Sequence, residues 1–226
     1  MRNPFVIALS LPKTLYVNLK CFGLKGLKLP VIVHYKTRVE EIHKGNIVFT
    51  GPLRFKTVNF GFGGSKSIIP NSYNILFLAE GSQMIFGGKA SFSEGFSIQN
   101  KGEIKIADDF FANKNLRLFI EGKLFIGKGC KLGYDCEIRD MNGHRIIYKD
   151  GTEKSVHEVS VGDYVWIASN SVVMNGTKIG ENSVVAMGSI TNKDYSTAEG
   201  VIIGGIPATI IKENISWEED SDSSKR

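Results

Sequence analysis

The sequence predicts a mainly β fold, a parallel β-helix built from six-residue units. Two runs of aliphatic residues, repeating every six positions, predict it. They are Ile120, Ile126, Leu132 and Ile138, followed downstream by Val161, Ile167, Val173, Ile179 and Val185. An α-helix with 3.6 residues per turn would scatter these side chains round its surface, and an alternating strand has a period of two. A period of six instead suits a short strand plus a turn, with three such sides closing one triangular coil.

The residues between the aliphatic positions also favour a turning coil. Residues 161–190 divide into VGDYVW, IASNSV, VMNGTK, IGENSV and VAMGSI, and four of these five units have Gly or Ala in second place. Small residues let the chain bend, and stacked coils bury each other's faces as parallel strands about 4.8 Å apart. A looser run from Phe86 to Leu116 predicts further coils upstream, with a phase slip of two residues before Ile120.

The two ends of the chain depart from the repeat. We expect residues 1–40 to form a basic cap or helix, residues 41–217 to form the β-helix, and the polar residues 218–226 to be a disordered tail. Residues 1–39 contain seven basic residues and no acidic one, although the whole chain carries a net charge of only +5. This asymmetry predicts contact with an anionic membrane face or lipid-linked phosphate, and the absence of a recognised binding motif argues against nucleic acid.

Composition limits the classes of protein that fit. Three cysteines in 226 residues do not make a disulfide framework, and the six-residue separation of Cys130 and Cys136 predicts buried wall residues rather than a metal-binding pair. A reducing cytoplasm is the compartment that fits best. We find no run of 18 or more apolar residues and no clear signal-peptide cleavage site. The segment GFGGSKS at 61–67 lacks the ending of a phosphate-binding loop and predicts a Gly-rich turn.

The repeat is interrupted between Ile138 and Val161, where a loop predicted over residues 139–160 carries two of the four histidines. An ejected loop creates a cleft, which a smooth solenoid lacks. A catalytic cleft commonly needs a side chain that can take up a proton. An imidazole, which ordinarily titrates near pH 6.5, suits the task, so His144 and His157 are both candidates.

These units resemble the hexapeptide-repeat family of acyltransferases, and most closely its bacterial polysaccharide O-acetyltransferases, which are related to maltose and serine acetyltransferases. Three segments carry the resemblance: DMNGHRI at 140–146, VGDYVWIAS, and VVAMGSITNKDY together with GGIPATIIK. They match the family's catalytic-histidine segment, the unit that restarts the coil, and the signature around coenzyme A. The resemblance implies a left-handed β-helix, a homotrimer and acetyl-CoA as acyl donor. Departures from the pattern fall at Ala168, Asn175, Met187 and Asn192.

The resemblance also assigns roles to individual residues. It implies His144 as the catalytic base, and Asp140 and Asn142 stand close enough in sequence to orient the His144 ring. Asn142 and Trp166 are the predicted acceptor contacts, although Trp166 also suits subunit packing. The predicted contacts with coenzyme A are Ala168, Ala186, Met187, Asn192, Lys193, Pro207 and Lys212. No metal is expected, because the coenzyme A thiolate is already a good leaving group.

The expected function is transfer of an acetyl group from acetyl-CoA to a hydroxyl of a sugar or of a surface polysaccharide precursor, in the cytoplasm or at the inner face of the membrane. An antibiotic or an amino sugar stays open as acceptor, because acceptor contacts lie in loops. A non-catalytic β-helix scaffold is a second class, against which the DMNGH segment argues. A zinc carbonic anhydrase needs three histidine ligands, and the repeat has only His144 and His157.

Overall fold

The computed structural model describes residues 4–141, 143–144, 147–151 and 158–219. An α-helix, α1 (Pro4–Phe22), and a 3₁₀ helix, η1 (Gly23–Lys28), precede the strands. Successive strands then enter three sheets in rotation, so the sheets form the faces of a triangular prism. Every strand pair is parallel except the last, β22 with β23.

Sheet A contains β1 (Val31–Val33), β4 (Val58–Phe60), β7 (Ala90–Phe92), β10 (Phe110–Ala112), β13 (Lys131–Leu132), β16 (Trp166–Ile167), β19 (Val184–Val185), β22 (Ile202–Gly205) and β23 (Ala208–Lys212). Sheet B contains β2 (Thr37–Glu41), β5 (Asn74–Leu78), β8 (Ser97–Asn100), β11 (Arg117–Ile120), β14 (Glu137–Arg139), β17 (Val172–Val173) and β20 (Ile190–Thr191). Sheet C contains β3 (Ile47–Phe49), β6 (Gln83–Phe86), β9 (Glu103–Ile106), β12 (Lys123–Ile126), β15 (Glu158–Val161), β18 (Lys178–Ile179) and β21 (Asp194–Tyr195).

The interior of the prism is the hydrophobic core, and the predicted aliphatic residues line it. All nine six-spaced residues from Ile120 to Val185 are at most 2% exposed. Cys130 and Cys136 are buried in the same wall, as predicted, and burial raises their thiol pKa values to about 12 and about 11. A thiol held protonated in this way is a poor nucleophile, so both cysteines act as small wall residues.

The length of the upstream coils differs from the prediction. Val184 pairs with Trp166 and with Ile202, eighteen residues away on either side, as three six-residue units require. Phe111, however, pairs with Ser91 and with Lys131, twenty residues away on either side. The two additional residues belong to four-residue strands such as β12, which point two side chains inward instead of one. The phase slip expected once, before Ile120, therefore recurs in the coils between Gln83 and Lys131.

The coil also begins earlier than predicted. Strands β1 and β2 already belong to sheets A and B, so the β-helix starts at Val31, within the segment 1–40 that we expected to precede it. The first pairings join residues 27 and 37 positions apart, Val31 with Val58 and Thr37 with Asn74. Such long first coils leave no six-residue signal in the sequence.

Helix α1 covers the open edge of β1 with polar side chains. Three of these side chains, spaced four residues apart on the helix, accept hydrogen bonds from backbone N–H groups. The donors are spaced two residues apart and begin in β1. The pairs are Ser10 Oγ with Tyr35 N–H (3.0 Å), Thr14 Oγ1 with Val33 N–H (3.0 Å) and Asn18 Oδ1 with Val31 N–H (3.2 Å). Four residues of a helix span about 6.0 Å along its axis, and two residues of a strand span about 6.6 Å, so the acceptors on the helix match the donors in spacing. The helix and the strand run in opposite directions. The helix thus takes the place of a further strand and satisfies an edge that would otherwise be open.

His34 makes the stability of this end of the prism depend on pH. Its buried ring packs against Tyr35 and Phe62, and its Nδ1 accepts a hydrogen bond from the Lys36 N–H (3.2 Å). Burial, with Lys36 and Lys13 nearby, lowers the pKa of His34 to about 4. An unfolded imidazole titrates near pH 6.5, so the unfolded state takes up its proton first as the pH falls. The free energy of unfolding therefore declines as the pH falls from about 6.5 to about 4.

We expect His34→Asn to remove this part of the pH dependence. The asparagine oxygen can still accept from the Lys36 N–H but does not titrate. Denaturant unfolding near pH 7 and near pH 4 measures the effect. Between pH 7 and pH 4 the free energy of unfolding should fall less in the variant than in the wild type, and the difference should be at most about 3 kcal/mol. His43→Asn, at a more exposed histidine paired with Glu41, is the matched control. An unchanged pH dependence in His34→Asn would contradict the assignment.

Candidate functional site

The interruption leaves the coil at the corner between sheets B and C, after β14 and before β15. Within it, Gly143 has a φ of 78°, in the left-handed region that favours glycine, and it precedes His144. His144 is exposed to solvent. Asn142 and His157 lie outside the described residues, so their predicted roles stay predictions.

Asp140 anchors the beginning of the loop. It is fully buried and follows directly on β14, which pairs with β11 of the preceding coil. Its Oδ1 accepts the Glu121 N–H (2.8 Å) and its Oδ2 accepts the Gly122 N–H (2.7 Å), both in the corner of the preceding coil. Its own N–H donates to Phe119 O (3.2 Å). These bonds establish an anchoring function for Asp140, and the catalytic function assigned to it stays a prediction.

Asn175 anchors the end of the loop, at the same corner one coil further on. Its buried side chain accepts the Glu158 N–H through Oδ1 (3.4 Å), and the neighbouring Gly176 N–H donates to Glu158 O (2.9 Å). Sequence reasoning had treated Asn175 only as a departure from the family pattern. The signal that was available is a polar residue at a corner beside the restart of the coil.

Two predicted cofactor residues share this corner with the loop. Asn192 and Lys193 lie between β20 and β21, two coils beyond the loop, and both are exposed. The Lys193 carbonyl accepts the Lys178 N–H (3.1 Å), which fixes the backbone here to the coil below. The corner between sheets B and C therefore combines His144, a lysine and an asparagine along one vertical edge of the prism.

A second group of predicted residues lies at the corner between sheets A and B. Ala168 is buried and its N–H donates to Val185 O, while Ala186 N–H donates to Ile203 O (2.9 and 2.8 Å). In register, Ala168, Ala186 and Gly204 form a column of minimal side chains, since a Cβ added at Gly204 would lie 3.3 Å from the Ala186 Cβ. Beside this column the predicted residues Met187 and Pro207 are exposed.

The structure does not bring the two groups together at one edge. Sheet B separates them, and its outward side chains at this level are the half-buried Val172 and Ile190. Residues 187 and 192 are separated by at most about 17 Å of chain. A ligand that touches both groups must cross the face of sheet B, or the two groups must come from different subunits.

Trp166 lies elsewhere, on the outer face of sheet A, where it stays 42% exposed beside the C-terminal segment. Its ring centre is 6.1 Å from that of Trp217, whose Nε1 donates to Tyr164 O (2.7 Å). Further along, a Glu219 oxygen lies 3.3 Å from Lys131 Nζ. The predicted disordered tail, 218–226, is therefore wrong for Glu219, which docks on the coil. Lys212, in β23, is exposed near the end of the same sheet.

Metal ligands do not gather in the described part of the chain. Among residues 4–141, 143–144, 147–151 and 158–219, no group of three His, Cys, Asp or Glu side chains could hold a metal ion.

Fold and site together define a left-handed parallel β-helix of hexapeptide repeats whose coil is interrupted by an anchored loop. Residues 158–193 match the profile of the family described as bacterial transferase hexapeptide (six repeats). This segment thus matches the hexapeptide repeats of that family, and the resemblance and the fold class predicted from the sequence are confirmed.

Known proteins similar to this chain include several acetyltransferases. It is 32% identical over 113 residues to galactoside O-acetyltransferase of Escherichia coli (strain K12), covering 49% of this chain and 54% of that protein. It is 41% identical over 64 residues to chloramphenicol acetyltransferase of Morganella morganii, covering 28% and 30%. The first of these matches spans about half the length of the curated relative. The solved polysialic acid O-acetyltransferase OatWY aligns with a TM-score of 0.50 at 22% identity, over 81% of this chain and 90% of that one, which shows the shared fold alone.

Proposed function

We propose that this chain is an acetyl-CoA-dependent O-acetyltransferase acting on a hydroxyl of a sugar or of a surface polysaccharide precursor. The observation that carries the proposal is the loop at the corner between sheets B and C, anchored by Asp140 and Asn175 and presenting the exposed His144. A coil that served only as a scaffold has no need to break its repeat and secure both ends of the break. The acetyltransferase relatives support the same reaction class.

In the proposed reaction, His144 acts as general base. Its imidazole takes the proton of the acceptor hydroxyl while the oxygen attacks the thioester carbonyl carbon. The tetrahedral intermediate collapses by breaking the C–S bond, and the imidazolium returns its proton to the departing thiolate. An O-acetyl ester and free coenzyme A are the products. The two cysteines of the core wall, Cys130 and Cys136, are held as buried thiols, which supports direct transfer without an acyl-enzyme.

Acetyl-CoA is the proposed donor, and two features of the chain suit it. Ala168 and Ala186 place minimal side chains along the proposed path of an extended arm, which ends at Gly204, where Ile211 Cδ1 lies 3.0 Å from the position of an added Cβ. The exposed ammonium groups of Lys193 and Lys212 provide charge for the phosphates. Acetyl-CoA would supply the activated acetyl thioester when bound.

A homotrimer is part of the proposal, because a cyclic assembly can join the two groups of predicted residues. In a closed ring of identical subunits, one corner of each copy contacts a different corner of the next. Joining the corner between sheets A and B of one copy to the corner between sheets B and C of its neighbour would place Ala186 near His144 of the other subunit. Each active site would then need two copies of the chain.

We expect two inactive variants to complement each other if the site is shared. Ala186→Trp blocks the column of small residues, and His144→Ala removes the base. Mixed trimers reassembled from equal amounts contain sites with both residues intact, so about a quarter of the wild-type activity should return. Each variant alone, checked for folding and for mass by light scattering, is the control. Folded mixed trimers without activity would show that both residues act within one subunit.

The reaction itself is tested with acetyl-CoA and a panel of acceptors, with release of the coenzyme A thiol as the readout. Sugars, oligosaccharides and sugar nucleotides should stimulate release, and mass spectrometry should find a gain of one acetyl group on oxygen. Chloramphenicol and amino sugars in the same panel test the other acceptors. A folded trimer that releases no thiol with any of them would favour a scaffold.

We also propose that the chain works in the cytoplasm. Its three cysteines are free and buried, and none forms a disulfide, which suits a reducing compartment.

A further inference from the structure

Helix α1 turns its polar side to the coil and its apolar side to solvent, the reverse of an ordinary surface helix. The buried side consists of Ser10, Thr14, Val17, Asn18 and Cys21, and the three polar members hold the edge of β1. At about 100° per residue, the opposite side is made by exposed apolar residues. They are Phe5, Ala8, Leu9, Pro12, Tyr16 and Leu19.

The 3₁₀ helix η1 extends this apolar surface and adds charge to it. Leu24 and Leu27 are 83% and 59% exposed, and Lys25 and Lys28 between and after them are exposed as well. Gly26 packs against the end of α1, where an added Cβ would lie 2.2 Å from Asn18 O. Only glycine permits this contact, which fixes the leucines and lysines of η1 beside the helix.

We propose that this face of α1 and η1 docks on an anionic lipid bilayer, lying in its interface. We name it the N-terminal docking face; it consists of Phe5, Leu9, Tyr16, Leu19, Lys20, Leu24, Lys25, Leu27 and Lys28. Apolar side chains of such a face enter the boundary between headgroups and acyl chains, and lysines bind the headgroup phosphates.

The distribution of charge selects an anionic lipid surface as the occupant. Residues 4–28 contain four lysines and no acidic residue. The Lys13 amine is engaged, donating to Tyr35 O (2.7 Å), while Lys20 joins Lys25 and Lys28 at the exposed surface. A two-fold contact between copies of this face would set lysines against lysines without a carboxylate from the segment to compensate them. Phosphate headgroups provide the missing negative charge.

The contacts of α1 also decide between lying on the bilayer and crossing it. The segment Pro4–Lys28 is long and apolar enough in composition to cross, although no single run of the sequence had indicated this. Crossing would pull Ser10, Thr14 and Asn18 away from the edge of β1 and leave both sides without hydrogen-bond partners. Lying in the interface keeps all of these bonds.

The docking face is separate from the loop that carries His144. Strand β14, which leads into the loop, is four strands beyond β2 in sheet B, or about 19 Å along the prism. Substitutions on the face therefore leave the proposed reaction intact, and lipid binding is measured without reference to it.

Co-sedimentation of the full chain with vesicles tests the proposal. We expect binding to vesicles of about three parts phosphatidylcholine to one part phosphatidylglycerol, and little binding to phosphatidylcholine alone. Binding should weaken as salt rises, because the Debye length falls from about 10 Å at 0.1 M to about 3 Å at 1 M. Lys20→Gln, Lys25→Gln and Lys28→Gln together should weaken it on the order of 100-fold, at about fivefold per lysine.

Matched variants separate the face from general effects of charge and hydrophobicity. Lys89→Gln, Lys123→Gln and Lys128→Gln remove the same charge from exposed positions on the coil and should cost far less. Leu24→Ser with Leu27→Ser should abolish binding, whereas Phe125→Ser, at an exposed position of sheet C, should not. Wild-type protein that ignores both vesicles, or binds them equally, overturns the proposal. A second outcome also overturns it: the wild type binds no lipid, and the double variant Leu24→Ser with Leu27→Ser forms an assembly of lower mass than the wild type. A second copy of the chain, and not a bilayer, would then cover the face.

Discussion

Replacing His144 by alanine should lower kcat by about 10²–10⁴ while leaving the fold, the trimer and the affinity for acetyl-CoA nearly unchanged. The imidazole acts only on the proton of the acceptor, a task absent from cofactor binding. The side chain is exposed, so its removal opens no cavity in the core. Steady-state kinetics with a saturating acceptor, together with calorimetric titration of coenzyme A, separate the loss in kcat from any loss in binding.

Two further histidine variants give this prediction its controls. His43→Ala removes an imidazole that is hydrogen-bonded to Glu41 near the N-terminal end of the prism, and it should keep full activity. His157→Ala tests the rival base from the same loop and should cost much less than His144→Ala. If His157→Ala abolishes turnover and His144→Ala does not, the choice of base is wrong although the reaction class stands.

The six-residue period predicts the downstream coils well because their two-residue strands point a single aliphatic side chain inward on each face. Upstream, strands such as β12 bury two side chains, Leu124 and Ile126, and the period of six no longer describes the coil. A search for one inward-pointing aliphatic residue per face therefore finds only an irregular series of apolar residues in these coils. The three-sheet architecture was therefore predictable along most of the chain, and the coil length was predictable only downstream.

Features that depend on distant partners were not predictable. Polar residues at helical spacing ordinarily face water, yet Ser10 faces the coil because β1 offers unpaired N–H groups. The polar composition of residues 218–226 predicts disorder, but a Glu219 carboxylate oxygen lies 3.3 Å from Lys131 Nζ, 88 positions earlier in the chain. Asp140 was assigned to orient His144 from their separation in sequence. That function stays a prediction, and the structure adds that its carboxylate accepts backbone N–H groups of the preceding coil, 18 and 19 positions away.

That anchoring function makes Asp140→Ala the variant with the largest expected loss of stability. The substitution removes both acceptors from two N–H groups at a fully buried position, Glu121 N–H and Gly122 N–H. A buried donor without a partner costs about 1–3 kcal/mol, so we expect the free energy of unfolding to fall by about 2–5 kcal/mol. Denaturant titration measures it. Because the freed loop no longer holds His144 in place, kcat should fall as well in the protein that stays folded.

Asp108→Ala is the matched control for this loss. Asp108 Oδ1 also accepts two backbone N–H groups, those of Lys89 (2.7 Å) and Asp109 (2.9 Å), but at an exposed corner. Water replaces the carboxylate there, so the free energy of unfolding should fall by less than about 1 kcal/mol and kcat should not change. Equal losses in the two variants would mean that burial of Asp140 contributes nothing beyond an ordinary turn. A stable Asp140→Ala variant with lowered kcat would instead assign Asp140 directly to catalysis, since loss of the anchor could not then explain the lost rate.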